Sequence, residues 1–78
     1  YSLKRMIIKK RIQDWSVRHV INWLRVNNFG MYDNNFTKEK INGIALLNLK
    51  EKHLSRYLGV KNLGDRLNIL HLISSLKN

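Results

Sequence analysis

From Trp15 onward the apolar positions recur at intervals of three and four. Val17, Val20, Ile21 and Leu24 fall on one helical face, with Arg18, Asn22 and Arg25 on the other. Ser16 stands ahead of the run as an N-cap, and Trp15 before it can pack on Val20 as a hydrophobic staple. Asn27, Asn28, Phe29 and Gly30 end the helix, with Gly30 expected as its left-handed cap. A short second helix is predicted near residues 31–37, with Tyr32 and Phe36 on one face. A third, brief helix starts at Gly43 and turns Leu46, Leu47 and Leu49 inward. A fourth, over residues 50–58, buries Leu54, Tyr57 and Leu58, leaves Lys50, Glu51 and Lys52 outside and stops at Gly59. The last opens near Asn62 and reaches about Leu76, roughly 20 Å at 1.5 Å per residue. Leu63, Leu67, Leu70, Ile73 and Leu76 are expected on its core side. No segment alternates with the period of a strand, and no repeat occurs. The pattern predicts an all-α fold: a compact five-helix bundle of four short helices and a long C-terminal one, over residues 13–78.

Residues 1–12 do not fit this scheme. Leu3 and Ile7 share one side of a notional helix, while Ile8 and Ile12 lie nearly opposite. The segment is better described by its charge: Lys4, Arg5, Lys9, Lys10 and Arg11 without an acid. It reads as a basic N-terminal extension or linker. A solvated arm is the plain interpretation and a basic helix lying on a membrane surface the sharper one. With fifteen Lys and Arg against five Asp and Glu, the net charge is +10, so acidic partners are expected: nucleic acid, anionic lipid or an acidic protein face.

Composition narrows the chemistry further. A chain of 78 residues has a thin core and no room for a deep active site. There is no cysteine, which excludes disulfides and thiolate chemistry and favours a cytoplasmic location, with a nuclear one as the alternative. No apolar run approaches the roughly 20 residues of a membrane span. His19, His53 and His71 lie on three different predicted helices without Cys, Asp or Glu at ligand spacing, so neither a metal nor another cofactor is expected. No nucleophile has a base beside it, and no enzyme activity is expected. Asn35-Phe36-Thr37 fits the glycosylation pattern but is read as chance. The charge and the missing initiator Met suggest a piece of a larger protein.

One stretch asks for more than a core helix needs. Asn62 can cap the last helix, and Asp65 in its first turn suits the helix dipole and can reach free backbone donors. Gly64 lets another chain come close to the backbone. Lys61 and Arg66, both expected to be exposed, have no such local purpose and suggest a contact surface.

The ordered set of motifs resembles the sterile alpha motif (SAM) domain family. It comprises Trp15-Ser16, Val20 with Trp23-Leu24, Tyr32 and Phe36, Ile41-Asn42-Gly43 with Leu46-Leu47, Leu58-Gly59-Val60, and Leu63-Gly64-Asp65-Arg66 with Ile69-Leu70. The resemblance covers residues 15–76 and implies a non-catalytic interaction module that pairs through two surfaces. The first maps onto Lys61, Asn62, Leu63, Gly64, Asp65 and Arg66. The second, usually an acidic belt, maps onto Asp33, Lys38, Glu39, Lys40, Lys50 and Glu51. Here the belt is not acidic, because Lys38, Lys40, Lys50 and Lys52 outweigh Asp33, Glu39 and Glu51. Head-to-tail self-assembly then sets basic against basic. The expected partner is another SAM domain with an acidic surface, with weak self-association at most. The start of the last helix also resembles SAM domains attached to protein kinases and their scaffolds, which implies a signalling context.

Two other readings stay open. Some SAM domains bind RNA hairpins, and the net charge favours that; Asp65 opposes it, standing where a phosphate would bind at the helix start. The aromatic residues Trp15, Trp23, Tyr32, Phe36 and Tyr57 also fit the core pattern, which leaves none exposed for stacking on bases. Trp23 is read as core, with a place at an interface as its alternative. Weak association of the basic tail with an anionic membrane is the third and least favoured reading.

Overall fold

Ser16 begins the first helix as expected. Its Oγ accepts the His19 backbone N–H at 3.3 Å, and His19 Nδ1 accepts the Ser16 N–H at 3.2 Å, so each satisfies a donor of the other. The computed structural model describes residues 11–77. They form α1 (Val17–Val26), α2 (Asp33–Lys38), α3 (Gly43–Leu47), α4 (Glu51–Arg56) and α5 (Leu63–Leu76). Single 3-10 turns, Ile12–Asp14 and Gly30–Tyr32, precede α1 and α2. This is the expected five-helix, all-α bundle, with no strand among the described residues. Of the basic tail, Lys4, Arg5, Lys9 and Lys10 lie outside the described residues, and Arg11 is exposed.

The helices enclose one core. Phe36, Leu24, Leu46, Leu54, Leu58, Ile69, Val20 and Val60 are fully buried at its centre. Trp15 and Trp23 are buried with them, so Trp23 is core. Ile12, assigned by its charged neighbours to the extension, packs against this cluster. The backbone of the first turn lies so close to α3 that a Cβ at Gly43 would come within 1.7 Å of the Ile12 carbonyl oxygen. Gly43 is therefore required by that contact, and its N–H donates to the Trp15 carbonyl at 3.0 Å.

The turns depart from expectation at one point. Asn28, with φ of 67°, takes the left-handed position after α1, and Gly30 does not. The Phe29 N–H then reaches the Leu24 carbonyl at 2.8 Å and the Asn28 N–H reaches Arg25 at 3.1 Å, a Schellman closure. Asparagine tolerates this conformation well, which frees Gly30 to open the next turn. Gly59, with φ of +68°, ends α4 as the sequence implied. Asn35 of the glycosylation-like triplet donates its side-chain amide to the Leu58 carbonyl at 3.0 Å and so ties α2 to that turn.

Two side-chain expectations are corrected. Tyr57 is 60% exposed rather than buried: it is the C-cap of α4, and the core takes Leu54 from the helix and Leu58 from the turn after it. On α5 the buried residues are Ile69 and Ile73, with Leu70, Leu72 and Leu76 packed beside them. Leu63 and Leu67 are 54% and 52% exposed. On α3, Leu46 is fully buried, while Leu47 and the following Leu49 are half-buried.

Candidate functional site

The start of α5 is held by side chains more than by its own cap. Asn62 makes no side-chain cap to the helix backbone. Asp65 does not turn to the backbone either. It accepts the Tyr32 hydroxyl at 2.5 Å and the Asn62 amide at 3.5 Å. Tyr32 is buried at the entry to α2, where its ring stacks on Phe29 with centroids 6.3 Å apart. The hydrogen bond to Asp65 pushes the Tyr32 phenol up to about 12, with burial and the carboxylate's charge adding to the effect. Asp65 thus locks α5 against the turn that leads into α2, and sequence reasoning missed this because the two residues are 33 positions apart.

Arg66 is also structural, against the expectation that it is free. Its side chain is only 15% exposed. Its Nε meets Glu51 Oε1 at 3.2 Å, while one terminal nitrogen donates to the carbonyls of Val60 at 2.9 Å and Lys61 at 3.0 Å. The guanidinium's fixed fork suits this double grip on a turn. It closes the loop between α4 and α5 and fixes where Lys61 and Leu63 emerge.

What remains outward is a small, preformed surface. Lys61 and Asn62 are exposed, Leu63 projects into solvent, and Leu67 follows one turn later on the same side. Between them nothing lies within 4 Å of a Cβ built on Gly64. No local contact demands a glycine there, and the open backbone leaves room for another chain. The sequence-predicted cluster of six residues is therefore brought together but divided. Lys61, Leu63 and Gly64 face out, and Asp65 and Arg66 hold them in place.

The second surface is more basic than its composition suggests. Asp33 accepts Arg25 Nε at 2.6 Å, and Glu51 is taken by Arg66. Lys38, Glu39, Lys40 and Lys50 are exposed, as is Lys52. His53 Nδ1 accepts the Lys50 N–H at 3.0 Å, and His53, like His19, thus serves a helix start. Among the described residues no group of three metal-ligating side chains comes together, and no helix is long and apolar enough to cross a membrane.

Known proteins resemble this arrangement. A family model described as SAM domain (Sterile alpha motif) matches residues 13–77. The Polyhomeotic-proximal chromatin protein of Drosophila melanogaster is 42% identical over 67 residues, which make up 85% of this chain and 4% of that protein. The chain therefore spans a small fraction of that relative. Among solved structures, a polyhomeotic SAM domain is 38% identical with a TM-score of 0.77, over 86% of this chain and 96% of that one. A chain of the crystal structure of the Scm-SAM and Sfmbt-SAM heterodimer is 35% identical with a TM-score of 0.76, over 85% and 93% respectively.

Proposed function

The chain belongs to the sterile alpha motif family, and from that premise we propose that it is a non-catalytic protein–protein interaction module. Its partner is another SAM domain, docked on the start of α5. The observation that carries this reading is the outward edge formed by Lys61, Leu63, Gly64 and Leu67 on a rigidly clamped helix start. Two apolar side chains and an uncovered backbone offer contact area, and Lys61 supplies a charge that selects an acidic belt. The belt residues Asp33, Lys38, Glu39, Lys40, Lys50 and Glu51 form a poor matching surface for a second copy, because their acids are largely paired within the chain. A heterotypic partner fits better, and one solved relative is a heterodimer of two SAM domains. The relatives include a chromatin protein, which supports a nuclear setting. They lend no support to the kinase-linked signalling role or to the cytoplasmic location that the sequence suggested.

The test is titration calorimetry against a SAM domain whose belt carries exposed Asp and Glu. Lys61→Glu and Gly64→Glu are each expected to weaken binding at least about tenfold, or 1.4 kcal/mol. Lys61→Glu should leave the melting temperature within a degree or two, and Gly64→Glu should hold or raise it, since glutamate is a better helix former than glycine and suits the first turn of α5. Wild-type affinity in both variants would place the interface elsewhere.

A further inference from the structure

Glu51 belongs to two places at once. It opens α4 as part of the belt, and half of its side chain is exposed to solvent. Its Oε1 nevertheless accepts Arg66 Nε at 3.2 Å, from the first turn of α5. The same guanidinium donates through one terminal nitrogen to the carbonyls of Val60 and Lys61. A planar guanidinium moves as one body, so the carboxylate on its Nε also sets where that terminal nitrogen points. The turn through Val60 and Lys61, and with it the place where Lys61 leaves the surface, is thus fixed in part by a belt acid 15 positions from Arg66. Asp65 makes a second tie in the same direction, to Tyr32, the residue before Asp33 of the belt.

We propose that Glu51 is a positioning residue for the α5 edge, and that a partner's cation docked on Glu51 loosens that edge. The proposal rests on the reading of the edge as the surface that binds a SAM partner. The Arg66 side chain is only 15% exposed, and the carboxylate paired with it among the described residues is Glu51. A lysine or arginine brought to the belt meets Glu51 from its solvent side and competes with Arg66 for its charge. The edge is held firmly while Glu51 belongs to Arg66 and less firmly once Glu51 is taken. Such a link works in both directions: a partner on the edge keeps Arg66 in place and makes Glu51 a poorer acceptor for a second chain. The two surfaces therefore oppose each other, and the chain engages one partner at a time better than two. The ion pair is half in water, so the effect is modest, about twofold to fivefold in affinity.

The test joins a nuclear magnetic resonance spectrum of the chain alone to a titration. In the isotope-labelled chain, Glu51→Gln should shift the Arg66 Nε–H resonance and the amides of Lys61 and Asn62, which follow the two carbonyls that Arg66 holds. Glu39→Gln makes the same change of charge in the belt at a residue that is not the partner of Arg66, and should leave all three in place. Titration against the acidic-belt SAM domain should show Glu51→Gln binding about twofold to fivefold more weakly than the wild type. Net charge alone predicts the opposite, since losing an acid makes the chain more basic, and Glu39→Gln should bind as well as the wild type or better. Ser55→Lys supplies the competing cation from within. Ser55 is exposed and four residues after Glu51, the spacing at which a lysine pairs with a glutamate on a helix. That variant should bind about twofold more weakly, and the loss should vanish when Glu51→Gln is added. Unmoved Lys61 and Asn62 amides in Glu51→Gln would overturn this proposal alone, with or without a partner. Wild-type affinity in Glu51→Gln would overturn it too. A loss in Ser55→Lys that persists beside Glu51→Gln would remove the competition and with it the link between the surfaces. If the wild type fails to bind the acidic domain, the reading of the edge falls and takes this inference with it, even where the amides shift.

Discussion

Tyr32 and Asp65 show what a single pair contributes. The phenol donates to the carboxylate in a part-buried setting and its pKa is raised from the usual 10 to about 12. The folded state therefore favours the protonated phenol. The resulting stabilisation is complete below pH 10, the unfolded value, and is lost as pH rises from there through about 12. Tyr32→Phe should cost about 1.5–3 kcal/mol at neutral pH, as expected for a hydrogen bond to a charged group. The difference in stability between wild type and variant should shrink between pH 10 and 12, as read by urea unfolding across that range. A difference constant to pH 12 would show that the pair contributes only packing. The sequence allowed Asp65 to be identified as a helix-start acid and Tyr32 as core, both sound as far as they went. It could not join them, because helical periodicity relates residues three or four apart and says nothing of a pair 33 apart. Arg66 was misjudged for a related reason. A charged side chain in a helix's first turn looks exposed until the turn it clamps is in view.

Helix by helix, legibility followed how cleanly polar residues mark the outer face. On α1, Arg18, Asn22 and Arg25 leave a single apolar side, and Val20, Ile21 and Leu24 are buried as expected. On α5 the apolar residues go round the helix. Leu63 and Leu67 make one apolar edge, and Ile69 with Ile73 makes another, so the pattern alone does not say which faces inward. The structure chooses the isoleucine edge, and the leucine edge is left in solvent. Ile69→Ala or Ile73→Ala should each destabilise the domain by about 2–5 kcal/mol. Leu67→Ala should cost less than about 1 kcal/mol, since its side chain is already in water, while weakening partner binding. Thermal unfolding of the three variants separates these cases. An equal loss at Leu67 and Ile69 would mean that α5 is rotated relative to the arrangement described. Tyr57 shows the limit of spacing in another way: it follows α4 as its C-cap, and its ring lies beside His53, with centroids 6.4 Å apart, instead of entering the core with Leu54 and Leu58.

For the molecule as a whole, charge decides how copies meet. The net charge is +10, and the two ion pairs seen among the described residues spend Asp33 and Glu51 within the chain. The α5 edge presents Lys61, and the belt presents Lys38, Lys40 and Lys50. If two copies met head to tail through the proposed surfaces, the contact would oppose like charges, and such juxtaposition is costly even where the apolar edge would match. Sedimentation at moderate salt should show a monomer, or at most a weak dimer. A partner with an acidic belt can take the α5 edge, but the bound copy then offers that partner's next unit a basic belt. Added in small amounts to a SAM domain that polymerises, this chain should shorten the polymers by ending them. The cause can be tested by reversing it. Lys38→Glu, Lys40→Glu and Lys50→Glu together change the belt by six charge units (three lysines lost and three glutamates gained) without touching a buried side chain. If charge alone blocks self-assembly, the triple variant should sediment faster as its concentration rises, and added salt should reverse the effect by screening the new attraction. If it stays monomeric, shape rather than charge sets the limit, and filaments of the wild-type chain at moderate salt would remove the charge argument altogether.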